Sequence, residues 1–203
     1  MSHEVLIGAG GWGYFSSGLR SYSRAFRFVE VNSTFYRLAQ QPDVARWRRE
    51  VPPSFVFSVK APRQITHVSS RLDSPEAREY FGQTATICHR LKAPWLIFEF
   101  PPWREFEDSS CTAIMNLIDS VDLQATVCIE ARAYRGRDLP QILVKTMSDI
   151  PAIDVVDPLV QDPRVPANQT YMRVFGKGEH NIYQAIGEEQ KDMDDRISMD
   201  VST

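Results

Sequence analysis

Seven short stretches of the chain are rich in Val, Ile and Phe and bounded by Gly, Pro or polar residues: EVLIGA, FRFVEVN, SFVFSVKA, PWLIFEF, ATVCIEA, AIDVVD and YMRVFG. Runs of that length and composition predict β-strands. Between them lie segments with apolar residues at helical spacing: LRSYSRAF, with Leu19, Tyr22 and Phe26 on one face, then PDVARWRREV, PEAREYFGQTATICHRLK, CTAIMNLIDSV and LPQILVKTM. Near the end, the helix-like EEQKDMDDR precedes ISMDV, a candidate eighth strand. Spread over eight strand–helix units, the chain leaves about 25 residues for each, at the small end of the (β/α)8 range. The expectation is therefore an α/β fold, a TIM-like (β/α)8 barrel, in one domain covering residues 1–203. No internal repeat, low-complexity tract or Gly/Ser linker marks a boundary.

Phase within the strands carries the functional signal. Side chains alternate across a strand, so Phe28, Glu30 and Asn32 share one face while Val29 and Val31 share the other. The valines suit the helix-facing side. The pattern repeats with Ser58 and Lys60, with Cys128, Glu130 and Arg132, with Asp157, and with Tyr171 and Arg173. Polar residues thus fall late in several strands, and in a parallel barrel those positions converge on one mouth, where active sites are built. An unpaired buried charge costs several kcal/mol, so these groups must meet each other, water or a ligand. Two readings follow: a working mouth, or an ion-pair network that plugs the barrel.

Composition narrows the class. With 43% hydrophobic residues the chain can form a substantial core, and 23 Lys and Arg against 26 Asp and Glu give a formal net charge of -3. No global basic field advertises nucleic acid or an anionic membrane, although a local basic groove stays open. Cys88, Cys111 and Cys128 are odd in number, widely spaced and without a CxxC pair, which argues against a disulfide framework or a structural zinc and for a reducing, cytoplasmic setting. No signal peptide or membrane span is read from the N-terminus or from the short apolar run APWLIFEF, which Glu99 interrupts.

The segment GAGGWG satisfies G-x-G-x-x-G through Gly8, Gly10 and Gly13, follows a predicted strand and has Glu30 at a suitable distance for a ribose-binding acid. A dinucleotide site would need a helix opening inside the motif, whereas WGYFSSGLRS offers Trp12, Tyr14, Phe15 and a further glycine there. The competing reading is a glycine-rich strand end that lets an aromatic loop fold over the mouth. The cofactor is left unassigned.

Four segments, IGAGGWGYF, FVEVNSTFYRL, FVFSVKAPRQITH and YMRVFGKGEHNIYQ, with CIEAR before the last, are similar in order and spacing to the YecE-like family, a domain of unknown function numbered 72. The resemblance implies a TIM-like barrel and no established reaction. Carried over position by position, it implies mouth residues Trp12, Tyr14, Glu30, Asn32, Thr34, Tyr36, Lys60, Thr66, His67, Glu130, Arg132, Arg173 and Gly176. CIEARAYRG lacks the family's tryptophan after the E-x-R motif, and the last strand and helix are expected to be incomplete at Thr203.

Each candidate carries a chemical and a structural reading. Lys60 could serve as a desolvated nucleophile or proton acceptor, or simply pair with Glu30. Arg132 could orient Glu130 for acid–base work or clamp a phosphate or carboxylate bidentately. Arg173 could present an anion site with the glycines after it, or pair with Asp157. His67 could carry a proton or bind a metal; without H-x-x-H spacing no metal is assigned, and His3, His89 and His180 are incidental. The expected function is acid–base chemistry on a small anionic or polyhydroxylated ligand, with Glu30, Lys60, His67 and Glu130 as catalytic residues and Trp12, Tyr14, Asn32, Thr34, Tyr36, Thr66, Arg132, Asp157, Arg173 and Gly176 as ligand-binding ones. Two alternatives stand beside it. One is a nucleic-acid protein using RWRRE, Lys60, Arg63 and stacking aromatics; the other is a noncatalytic interaction protein with a structural polar interior.

Overall fold

The structure, a computed structural model, describes residues 4–13, 15–68 and 71–175. Seven strands, β1 (Gly8–Gly10), β2 (Phe28–Val31), β3 (Val56–Lys60), β4 (Trp95–Phe100), β5 (Thr126–Ala131), β6 (Ile153–Val156) and β7 (Tyr171–Met172), form an all-parallel sheet in sequence order. Five helices, α1 (Gly18–Ala25), α2 (Gln41–Glu50), α3 (Pro75–Leu91), α4 (Asp108–Ile118) and α5 (Gln141–Asp149), fill the first five crossovers. The sheet curls enough for β7 to touch β2 and β3 through its interior, where the Tyr171 ring lies 6.1 Å from that of Phe28. This is an α/β, TIM-barrel-like fold with an incomplete barrel among the described residues. The predicted ISMDV strand and EEQKDMDDR helix lie outside the described residues. No described helix is long and apolar enough to cross a membrane.

Alternation sorts the apolar residues into two layers. Val29, Val31, Phe57, Val59, Leu96, Phe98 and Ile129 pack outward against Leu19, Tyr22, Val44, Phe81, Leu91, Leu117, Leu143 and Met147. Inside the curl, Ile97, Cys128, Ile153, Val155 and Tyr171 form a smaller cluster edged by Phe28 and Trp95. Each fully buried aliphatic or aromatic side chain contributes about 1.5–3 kcal/mol. The inner cluster forms the floor on which the charged residues stand.

Local chemistry fixes the helix ends. Ser74 caps α3 by accepting from the Ala77 amide at 3.2 Å, Pro75 opens it, and Lys92 ends it with a left-handed φ of 54°. Glu107 and Ser110 form a reciprocal capping box at α4. Between β6 and β7 no helix forms, and the connection contains Pro158, Pro163 and Pro166, which lack amide donors. Arg164 ties this strap down. Its Nε and backbone N both donate to Asp154 Oδ2 at 2.9 Å, Nη2 donates to Oδ1 at 2.8 Å, and Nη1 reaches the carbonyls of Tyr134 and Arg137 at 2.8 and 2.9 Å.

The first strand is shorter than its apolar sequence predicts. Pairing covers only Gly8–Gly10, and Val5 and Ile7 remain 50% and 67% exposed. Glycine is required here by close approach, because a Cβ on Gly8 would lie 2.2 Å from the Phe28 carbonyl oxygen. Helix α1 begins at Gly18, five residues after the last glycine of GAGGWG, so the helix start that a dinucleotide motif needs is missing from its place. The Tyr22 hydroxyl rivets β1 to β2, accepting from the Ala9 amide at 2.7 Å and donating to the Phe28 carbonyl at 2.8 Å. Tyr22→Phe leaves both backbone groups without that partner, and we expect a loss of about 1–3 kcal/mol in urea unfolding at nearly unchanged m-value.

Candidate functional site

The inward face of the sheet becomes polar toward the carboxyl ends of its strands. Glu30, Lys60, Glu99 and Glu130 stand near the ends of β2 to β5, and Asp157 and Arg173 follow β6 and β7 directly. Glu99 and Glu130 are register partners on adjacent strands, so two carboxylates sit side by side and require cations between them. Arg132 leaves the strand in a 3₁₀ turn spanning Arg132–Tyr134, from which its side chain reaches both carboxylates.

Glu99 is the centre. Its Oε2 accepts from Lys60 Nζ at 2.6 Å, Arg173 Nη1 at 2.6 Å and Arg132 Nη2 at 2.9 Å. Arg132 Nε also donates to Glu130 Oε1 at 2.7 Å, and Arg173 bonds Glu130 Oε2 and places Nη2 3.1 Å from Glu30 Oε1. The Tyr171 hydroxyl donates to Glu30 Oε2 at 2.9 Å. Having only one proton to give, it accepts from Ser58 Oγ at 2.8 Å. The cluster is thus three carboxylates balanced by three cations, with a neutral tyrosine–serine relay beneath.

Burial and charge act against each other across this cluster. Burial alone would raise the Glu99 carboxyl, but Lys60, Arg173 and Arg132 outweigh it and hold the group at about 2. Burial lowers Lys60; Glu99 opposes that effect, Arg173 adds to it, and the ammonium has only a share of a carboxylate bound by three cations. Burial would also lower Arg173, yet Glu30, Glu130 and Glu99 push it upward, so it is permanently charged. Tyr171 is raised by burial and by Glu30, and stays a neutral donor.

Two unlike walls flank the cluster. On the β2–β4 side, the Lys60 ammonium lies 4.1 Å from the centre of the Phe35 ring, Phe35 meets His67 edge-on at 4.9 Å, and His67 meets Trp103 at 5.8 Å. Trp103 and Tyr36 are each 71% exposed at the rim. On the β5–β7 side, the guanidinium groups of Arg132, Arg173 and Arg135 lie 5.2, 5.1 and 6.0 Å from the ring centre of Phe175. Burial lowers His67, keeping it neutral, and its Nδ1 is 2.8 Å from Thr66 Oγ1.

Several expected partners are exchanged. Lys60 pairs with Glu99 instead of Glu30, because Glu99 reaches the ammonium from the adjacent strand while Glu30 is taken by Arg173 and Tyr171. Asp157 pairs with Arg135 at 2.8 Å instead of Arg173, and burial raises its carboxyl. Thr34 and Thr66 are fully buried; the Thr34 hydroxyl lies 2.7 Å from the Lys60 carbonyl and 2.8 Å from that of Val31, bracing the backbone. Asn32 packs over Gly10, where a Cβ would come 2.4 Å from Asn32 Nδ2, and Trp12 meets Trp47 edge-on at 5.2 Å. Tyr14 and Gly176 lie outside the described residues.

Sequence reasoning missed Glu99, Arg135, Trp103 and Phe175. The signal for Glu99 was its phase: Trp95, Ile97 and Glu99 alternate in the same register as Ser58 and Lys60. Two of the RWRRE arginines, Arg46 and Arg48, are engaged on and below α2. Arg46 pairs with Asp43 and Glu50, and Arg48, at the far end of α2, donates to the Phe55 carbonyl at the start of β3. An open pocket lined by Ile153, Asp154, Arg164 and Gln169 lies near the start of β6, away from the mouth, and its carboxylate is already bound by Arg164. Among the described residues, no group of three or more His, Cys, Asp or Glu is arranged to hold a metal ion.

A curled parallel sheet with charged residues gathered at its carboxyl ends places the chain among TIM-barrel-like α/β proteins. The chain belongs to the family described as "Protein of unknown function DUF72", which it matches over residues 12–199. It is 29% identical over 114 residues to UPF0759 protein YunF of Bacillus subtilis (strain 168), covering 49% of this chain and 40% of that protein. It is 26% identical over 117 residues to UPF0759 protein YecE of Escherichia coli (strain K12), covering 57% and 42%. The alignments therefore span about two-fifths of those curated relatives. Crystal structures of DUF72 family proteins from Thermotoga maritima MSB8 and Enterococcus faecalis V583 superpose with TM-scores of 0.72 each, at 20% and 18% identity. They cover 97% and 99% of this chain and 87% and 88% of theirs, a likeness of fold.

Glu99→Gln removes the charge that three cations share, and we expect a loss on the order of 3–5 kcal/mol. A carboxyl lowered in the folded state adds stability above its ordinary pKa and loses it as pH falls. The wild type should therefore lose stability between about pH 4.5 and about pH 2, with a flatter acid limb in Glu99→Gln, read by urea midpoints against pH.

Proposed function

We propose that this chain is a cytoplasmic enzyme whose complete architecture is a TIM-like (β/α)8 barrel and which performs acid–base chemistry on a small anionic or polyhydroxylated ligand at the mouth. The observation that carries this reading is the gathering of Glu30, Glu99, Glu130, Lys60 and Arg173 on the carboxyl ends of adjacent parallel strands, below a rim of exposed aromatic side chains. Apolar side chains of similar volume would fill a barrel at least as stably as buried ion pairs, so stability alone does not account for this many ionisable groups.

Roles follow from environment. Glu99, held at about 2, is too weak a base to move protons near neutrality and acts as the fixed counter-charge. Glu130 is the carboxylate we assign to proton transfer; it lies at the cluster's outer side beside Arg132, whose side chain is 19% exposed. Lys60 and Arg173 stabilise developing negative charge, Arg132 anchors the ligand through its planar fork, and neutral His67 accepts a proton. Glu30, fixed by Arg173 and Tyr171, supplies a second carboxylate. The cytoplasmic setting is supported by three unpaired, buried cysteines.

A thermal-shift screen of phosphorylated, carboxylated and polyhydroxylated metabolites tests the reading. A ligand at a hundredfold excess over its Kd adds about 2.7 kcal/mol of stability. We expect at least one such class to stabilise the protein, and Arg132→Lys and Glu130→Gln to abolish that gain. The absence of any stabilising ligand, with Arg132→Lys silent and Lys60→Met severely destabilised, would leave the interior plug as the better account.

A further inference from the structure

Resting on that reading of the mouth, we infer that its ligand is uncharged and polyhydroxylated, a sugar or cyclic polyol whose C–H face lies on Trp103 while its hydroxyls engage the Glu130–Arg132 pair. Charge balance comes first. Among the described residues, the strand ends of the mouth bring together four carboxylates, Glu30, Glu99, Glu130 and Asp157, and four cations, Lys60, Arg132, Arg135 and Arg173, each in at least one direct ion pair. An anion entering this neutral cluster must either lose its water without gaining a free counter-charge or displace a carboxylate already bound. A cation meets the mirror of the same cost.

A hydroxyl meets neither. It donates one hydrogen bond and accepts up to two, and a carboxylate beside a guanidinium offers the complementary acceptor and donor at adjacent points. Glu130 and Arg132 form such a pair at 2.7 Å, on the open side of the cluster. Arg63, outside this paired set, is exposed on the β3 loop near enough to His67 to act on it electrostatically, and there its charge stays in water.

The aromatic wall supplies the second half. Trp103 is 71% exposed, yet His67 meets it edge-on at 5.8 Å, and His67 in turn rests on Phe35 beside Lys60. A large ring left open to water but braced from below is a platform, offering apolar area at small entropic cost. A polyol ring has one apolar face and a polar edge, and the exposed Trp103 ring and the Glu130–Arg132 pair offer a surface of each kind.

Saturation-transfer NMR on the full chain tests this, with glucose, ribose, myo-inositol and a glucose disaccharide as neutral probes and inorganic phosphate and citrate as charged ones. We expect transfer to ring protons of at least one neutral probe, unchanged from about 50 to about 500 mM salt, because no net charge is exchanged. Trp103→Ala, at an exposed position, should keep the wild-type Tm and weaken that probe roughly tenfold, about 1.4 kcal/mol. Preferential, salt-weakened binding of phosphate or citrate would overturn the neutral-ligand inference and leave the ligand-binding mouth standing. Sugar binding indifferent to Trp103→Ala would also overturn it. Binding of neither class would defeat the inference and the reading beneath it together.

Discussion

One carboxylate oxygen, Oε2 of Glu99, holds the carboxyl end of the barrel together. Three cations from the ends of β3, β5 and β7 converge on it, so it couples sheet positions far apart in sequence through a single negative charge. Without that charge, Lys60 and two guanidinium groups would face one another inside the protein, where like charges repel strongly and water is scarce. Glu30 and Glu130 then occupy the donors that Glu99 leaves over. The order of dependence runs from the centre outward: a buried anion fixes the cations, and the cations fix the outer carboxylates.

The backbone around this cluster is correspondingly braced. Thr34 spends its hydroxyl on the carbonyls of Val31 and Lys60, Tyr22 ties β1 to β2, and Asn32 fits the space left by the missing side chain of Gly10. The hydroxyls of Thr34 and Tyr22 are fully committed to this bracing. Each group limits the freedom of its neighbours, which is how a rigid scaffold keeps charged side chains within hydrogen-bond distance.

Most of the architecture was legible because two periodicities, alternation in the strands and helical spacing between them, marked all seven strands and five helices. The polar residues of the mouth were legible for the same reason, since Glu30, Lys60, Glu130 and Arg173 fall in the inward phase. Partner choice was not. Pairing depends on how adjacent strands are staggered, and the stagger sets Lys60 beside Ile97, within reach of Glu99, a relation that no single segment encodes. Glu99 itself was masked by its apolar neighbours, which read as a buried strand. The threonines of NSTFY and QITH were legible as polar but not as structural, because that distinction rests on which carbonyls and side chains the fold brings to their hydroxyls. Trp103 carried no periodic signal, being in a loop between prolines and charged residues.

The strap between β6 and β7 has a consequence beyond holding itself in place. Arg164 binds Asp154 on the outer face of β6 and also grips the carbonyls of Tyr134 and Arg137, which bracket Arg135 and close the turn begun by Arg132. The turn that carries Arg132 and Arg135 is therefore braced from behind, by a residue whose side-chain hydrogen bonds among the described residues go to Asp154 and to that turn. The turn behaves as a bracket bolted through the wall: its aim is adjusted at the back, and sequence drift in the strap can retune the front without altering any residue there.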